Sequence, residues 1–103
     1  MSISTHVLDA GRGRPAAGVA VRLERRGDDG WQPVADGRTD ADGRIPALAA
    51  ASDAGVHRLV FDTAGHSPFY PEVVITFTVA DPGEHYHVPL LLSPFAFSTY
   101  RGS

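Results

Sequence analysis

Hydrophobic and polar residues alternate along most of the chain. Val19, Val21 and Leu23 interleave with Ala20, Arg22 and Glu24, the period of two that sends successive side chains to opposite faces of a strand. The same alternation runs through His57, Leu59 and Phe61 against Arg58, Val60 and Asp62. It runs again through Val73, Ile75, Phe77 and Val79 against Glu72, Val74, Thr76 and Thr78. Further strands are predicted at about Ile3–Leu8, Trp31–Thr39, His85–Leu92 and Phe95–Tyr100. Clusters of turn formers separate them, at Gly11–Pro15, Gly27–Gly30, Asp40–Gly43, Ala64–Pro71 and Asp81–Gly83. Short strands at this spacing predict an all-β fold, an antiparallel sandwich of seven to eight strands. Only Ala47–Ala54 leaves a choice open, between a single helical turn and an alanine-rich loop. No repeat or linker divides the chain, so residues 1–103 form one domain.

Composition narrows the function. The 103 residues suit a single core, and an apolar share of 43% excludes disorder of the whole chain. A net charge of −3 leaves no basic footprint for nucleic acid or anionic lipid. Every one of the nine cationic residues is Arg, so no side-chain amine exists for Schiff-base chemistry. With no Cys, disulfides, thiolate nucleophiles and cysteine metal sites are excluded together. A small domain without such staples gains from oligomerisation. The start, Met1 to His6, lacks the charged and apolar regions of a secretory signal. No apolar run approaches the roughly 20 residues of a membrane helix. The expected compartment is the cytoplasm.

Candidate chemistry is confined to a few positions. On a strand, His85 and His87 share one face and Pro89 follows on it, where a proline suggests an edge or an unpaired face. Two imidazoles on one face suit either a solvated pair or two zinc ligands, and a third ligand is not evident nearby. His6 lies mid-strand, and periodicity alone makes it a polar residue facing outward. Arg44 follows the tight turn Asp40-Ala41-Asp42-Gly43, which would hold it at the start of the next strand; most arginines so placed make surface ion pairs. The polar tail Ser98 to Ser103 reads by itself as a frayed end.

Taken together, these segments resemble a known family. The tail Tyr100-Arg101-Gly102-Ser103 resembles the C-terminal signature of the 5-hydroxyisourate hydrolases, the transthyretin-like proteins. The likeness continues through His85-Tyr86-His87-Val88-Pro89-Leu90-Leu91-Leu92-Ser93-Pro94, Ser4-Thr5-His6-Val7-Leu8-Asp9 and Asp40-Ala41-Asp42-Gly43-Arg44-Ile45. Gly13-Arg14-Pro15-Ala16 and Gly30-Trp31 also look familial, so nearly the whole chain is covered. The carrier transthyretin shares the Val-Leu-Asp-Ala and Leu-Leu-Ser-Pro segments but lacks the His, Arg, His and Tyr-Arg-Gly-Ser positions. One departure concerns residues 64–71, where family members usually carry a helix. Here that helix is expected to be shortened or absent.

The resemblance implies a transthyretin-like sandwich that hydrolyses 5-hydroxyisourate to 2-oxo-4-hydroxy-4-carboxy-5-ureidoimidazoline in urate degradation. It implies a cyclic amide hydrolase without metal or organic cofactor, assembled as a homotetramer with sites where subunits meet. Carried over residue by residue, it makes His6, Arg44 and His87 catalytic, and His6, Arg44, Tyr100 and Ser103 substrate-binding. An imidazole with a pKa of roughly 6.5 suits removal of a proton from water. A guanidinium stabilises the developing oxyanion without deprotonating. His85 is read as supportive, and Arg101 as fixing the course of the tail. Two other readings stand beside this one: a non-catalytic carrier-type module for a small ligand, and a metal-binding domain using His85, His87 and His57 or His66.

Overall fold

A computed structural model describes residues 2–50 and 53–103. The elements are β1 (Ile3–Asp9), β2 (Arg14–Pro15), β3 (Ala20–Gly27), β4 (Gly30–Arg38), β5 (Arg44–Ala49), β6 (Gly55–Asp62), β7 (Glu72–Val79), β8 (Tyr86–Leu92) and β9 (Phe97–Thr99). They form two stacked sheets. One runs β2-β1-β8-β9, with β5 also paired to β1; the other runs β4-β3-β6-β7. Alternation decides which side chains meet between the sheets. Val7, Tyr86, Val88, Leu90 and Leu92 from the first pack on Val21, Leu23, Leu59, Phe61, Val73 and Val79 from the second. Side chains one position out of phase face away from this core, and the chemistry lies among them.

The sandwich follows the pattern read from sequence, and residues 64–71 join β6 to β7 without a helix. Details differ for physical reasons. Nine elements are described because two are very short, with two residues in β2 and three in β9. The end of the predicted Phe95–Tyr100 strand leaves the ladder after Thr99. Ala47–Ala49 belong to β5 and are not a helical turn: register against β1 brings Ala49 opposite Ile3 and Ile45 opposite Thr5, so long-range pairing overrides the local helix preference of alanine. Ala51 and Ser52 of that stretch lie outside the described residues.

The first sheet is mixed rather than wholly antiparallel, because β1 and β8 run parallel from Ile3–Tyr86 to Asp9–Leu92. Pro89 consequently sits in an interior strand, not at an edge. Its carbonyl and that of His87 point to the same side of β8, toward the tail. There Gly102 donates to His87 at 2.8 Å, and the Thr99 hydroxyl donates to Pro89 at 2.7 Å. The missing N–H of Pro89 falls on that side, where β9 has ended and no ladder partner is required.

Candidate active site

The outward face of the first sheet gathers the candidate residues from three neighbouring strands. β1 presents Ser4 and His6, β8 presents His87, and β5 begins with Arg44. Register sets their spacing, with His6 opposite Arg44 on one side and Ser4 opposite His87 on the other. Tyr86, buried between the two histidines of its segment, locks this phase. Its hydroxyl donates to the Asp81 carbonyl and accepts from the Asp81 N–H, both at 3.0 Å. His85 and His87 are thereby turned outward with nearly parallel rings, 11° apart in plane.

Arg44 is aimed by the turn before it. One Asp40 carboxylate oxygen accepts from the backbone N–H groups of Asp42 at 2.9 Å and Arg44 at 3.0 Å, the local side-chain-to-backbone pattern that stabilises such turns. Gly43 has φ of 75°, and a Cβ there would collide with the Val7 carbonyl. Glycine is therefore required where this turn crosses β1. The turn also orients His6: its Nε2 lies 2.9 Å from the Asp42 carbonyl, which can only accept, so Nε2 carries the hydrogen and a neutral ring exposes a bare Nδ1. The Arg44 side chain is exposed. Among the described residues its guanidinium pairs with no carboxylate, which leaves the charge available to a ligand.

A cleft of about 250 Å³ lies over this face, lined by Ser4, Thr5, Arg44, Pro46, His85, His87 and Ser103. The tail reaches it by a defined route. The Arg101 guanidinium stacks on the Tyr86 ring at 4.5 Å and donates to Glu84 at 2.9 Å and to the His85 carbonyl at 3.2 Å. Gly102 then pairs with His87 in an isolated bridge, and Ser103 arrives beside the histidines. Burial holds the His87 pKa below its ordinary value, and the nearby Arg44, His6 and His85 push it the same way. The ring is therefore neutral, able to accept a proton, at neutral pH.

Placement thus unites His6, Arg44, His87 and Ser103 and separates Tyr100 from them. Tyr100 lines a second groove of about 270 Å³ with Ile75, Thr78, Tyr86, Thr99 and Arg101, at the side where β7 and β9 end their sheets. Ser4 is the residue that the sequence reading passed over. It bonds both His85 and His87, and its signal was its spacing two positions before His6, on the same face. Among the described residues, no three His, Asp or Glu side chains converge to hold a metal ion.

Two imidazoles and an unpaired guanidinium over a shallow cleft define a class, the β-sandwich domain carrying a polar small-molecule site on one sheet. Within that class the chain belongs to the HIUase/Transthyretin family, whose profile matches residues 3–102. A 5-hydroxyisourate hydrolase of Salmonella dublin is 45% identical over 98% of this chain and 80% of the relative. The structure of a Klebsiella pneumoniae 5-hydroxyisourate hydrolase superposes with a TM-score of 0.85 and 38% identity, covering all of both chains. Sea bream transthyretin in complex with thyroxine superposes with a TM-score of 0.87 and 36% identity, over 99% of this chain and 95% of that one. The fold is common to hydrolase and carrier, so function has to be argued from the site.

Proposed function

We propose that the chain hydrolyses 5-hydroxyisourate, opening its lactam to give 2-oxo-4-hydroxy-4-carboxy-5-ureidoimidazoline in urate degradation. Family membership and the named hydrolase relatives support this reading. The observation that carries it is the register that sets His6, Arg44 and His87 side by side on β1, β5 and β8. In this scheme the bare Nδ1 of His6 or the neutral His87 takes a proton from the attacking water. Arg44 then holds the oxygen on which negative charge develops, and the imidazolium so formed returns its proton to the leaving nitrogen. Ser103 bonds the ring of the substrate from the tail. No step calls for a metal or an organic cofactor.

Homotetrameric assembly, with sites completed where subunits meet, is part of the same proposal. Among the described residues no strand pairs with the outer edges of β7 and β9, and aromatic side chains crowd beside them, with Phe69 62%, Phe95 70% and Tyr100 59% exposed. An open cleft admits water on every side, and a second subunit over it would leave only the reacting molecule. Tyr100, apart from the histidines in a single chain, is assigned to substrate through that shared wall. We place the reaction in the cytoplasm, a compartment compatible with a chain free of cysteine.

The test is decay of freshly generated 5-hydroxyisourate followed by absorbance with and without protein. Acceleration above spontaneous decay is expected; its absence, with tight binding of a small aromatic ligand, would favour the carrier reading.

A further inference from the structure

Ser4 is almost fully buried, 5% exposed, and has no part in the chemistry described above. Its hydroxyl lies between two imidazoles, 2.7 Å from Nδ1 of His87 and 3.1 Å from Nε2 of His85. The other nitrogen of His85, Nδ1, lies 2.9 Å from the Ser2 hydroxyl. His87, Ser4, His85 and Ser2 therefore make one unbroken hydrogen-bonded row. It starts in the cleft and ends at an exposed histidine and the residue preceding β1.

A row of alternating imidazoles and hydroxyls has two self-consistent orders. In the first, His87 Nδ1–H donates to Ser4, Ser4 donates to His85 Nε2, and His85 Nδ1–H donates to Ser2. The Nε2 of His87 is then bare and able to act as a base. In the second every bond is reversed and His87 Nε2 carries the hydrogen. Passing from one order to the other moves a proton along the row while the heavier atoms stay in place.

We propose that Ser4, His85 and Ser2 are positioning residues forming a proton relay, which fixes the base tautomer of His87 and carries a proton to solvent. The proposal rests on the hydrolytic reading, and the chemistry demands such an exit. Water adds hydroxide to the carbonyl carbon, the C–N bond breaks, and the nitrogen takes one proton. The new carboxylic acid ionises at neutral pH, so each turnover leaves one surplus proton. His87 receives it on Nε2 and releases the Nδ1 proton to Ser4. Ser4 passes its own to His85, His85 to Ser2, and Ser2 to water, which leaves the row in its second order. Once product has left, water in the open cleft takes the Nε2 proton of His87, Ser2 regains one from water, and the first order returns. The other groups near His87 are His6 from β1, Arg44 from β5 and Ser103 from the tail. Arg44 accepts no proton, and His6, although its Nδ1 is bare, leads no further, because its Nε2 bonds the Asp42 carbonyl, which cannot pass a proton on.

The whole chain is tested with His85→Ala, an exposed side chain whose removal leaves the core untouched. In weak buffer its kcat should fall roughly tenfold or more while KM stays within about twofold. Added imidazole should restore the rate, whereas the unaltered protein should be insensitive to it. Nitrogen-15 NMR of labelled histidines supplies an arm without substrate. His87 should be protonated at Nδ1 alone in the unaltered protein and become a tautomer mixture in Ser4→Ala. Full activity of His85→Ala in weak buffer, a loss that imidazole leaves unrepaired, or an unchanged His87 tautomer in Ser4→Ala would each overturn the relay. Failure of the unaltered protein to accelerate decay would fell the hydrolytic reading instead, and the NMR arm would still judge the tautomer.

Discussion

Gly102 has no space for a side chain: a Cβ there would lie 2.5 Å from Cδ2 of His87. Gly102→Ala must displace either the ring or the tail, and both belong to the site. Its rate should drop by about a hundredfold, with a melting temperature close to that of the unaltered protein, because the tail is exposed. His87 also governs the response to pH. Burial first, then Arg44, His6 and His85, hold its folded pKa below 6.5. The acid limb of kcat/KM should accordingly lie below the value for a free imidazole, with full activity at neutral pH. The sign for stability follows from linkage. The unfolded chain binds this proton more readily, so the contribution is present above pH 6.5 and lost as pH falls through the folded value. Arg44→Ala removes one of the depressing charges and should raise the His87 pKa, read by NMR titration. At this scale the sequence disclosed residue types and little of their partnerships. Ser4 resembled any strand serine, because its meaning depends on β8 lying parallel to β1, a contact more than eighty positions away in the chain.

Elements were legible wherever alternation had a buried face to report. β3, β6 and β7 could be read directly, since Val21, Leu59 and Ile75 point inward and Arg22, Arg58 and Thr76 outward. β5 was obscured because alanine carries too little hydrophobic contrast to show a period. β8 misled on pairing, since proline in a strand argues for an edge unless the ladder has a gap opposite, and only the course of β9 reveals that gap. Two elements without regular structure matter as much as the strands. The 40–44 turn depends on Gly43, so Gly43→Ala should destabilise the fold by about 2 kcal/mol or more through positive φ and the collision with Val7, seen as a lower denaturation midpoint. The tail depends on Arg101, whose contacts with Tyr86, Glu84 and His85 bear out its reading as the residue that sets the tail's course. Deleting residues 101–103 should leave both sheets folded by circular dichroism yet cost about a hundredfold in rate.

The whole molecule presents one face that a single copy leaves uncovered. Among the described residues no strand pairs with the outer edge of β7, eight residues long, or with that of β9, three residues long. Phe69, Tyr70, Phe95 and Phe97 form a continuous aromatic row beside them, with ring centroids 5.0 to 6.1 Å apart. Monomeric proteins protect such edges with charge, proline or short length, and here Val74, Thr76 and Thr78 carry none of these protections. Burying the row against a second copy removes apolar area from water and satisfies the free edge backbone together. It also brings the groove containing Tyr100 to a subunit boundary. A charge placed in the row, Phe97→Glu, would have to be desolvated on assembly without a partner, a cost of several kcal/mol. Its position at a surface edge spares the core. Sedimentation at micromolar concentration should therefore give four subunits for the unaltered protein and smaller species for Phe97→Glu, with the strand signal in circular dichroism retained. Activity should fall along with the assembly, while the His87 tautomer, set within one chain by Ser4, should persist. Full activity in a dissociated Phe97→Glu would show that one sandwich suffices for the chemistry and that Tyr100 does not act across a subunit boundary.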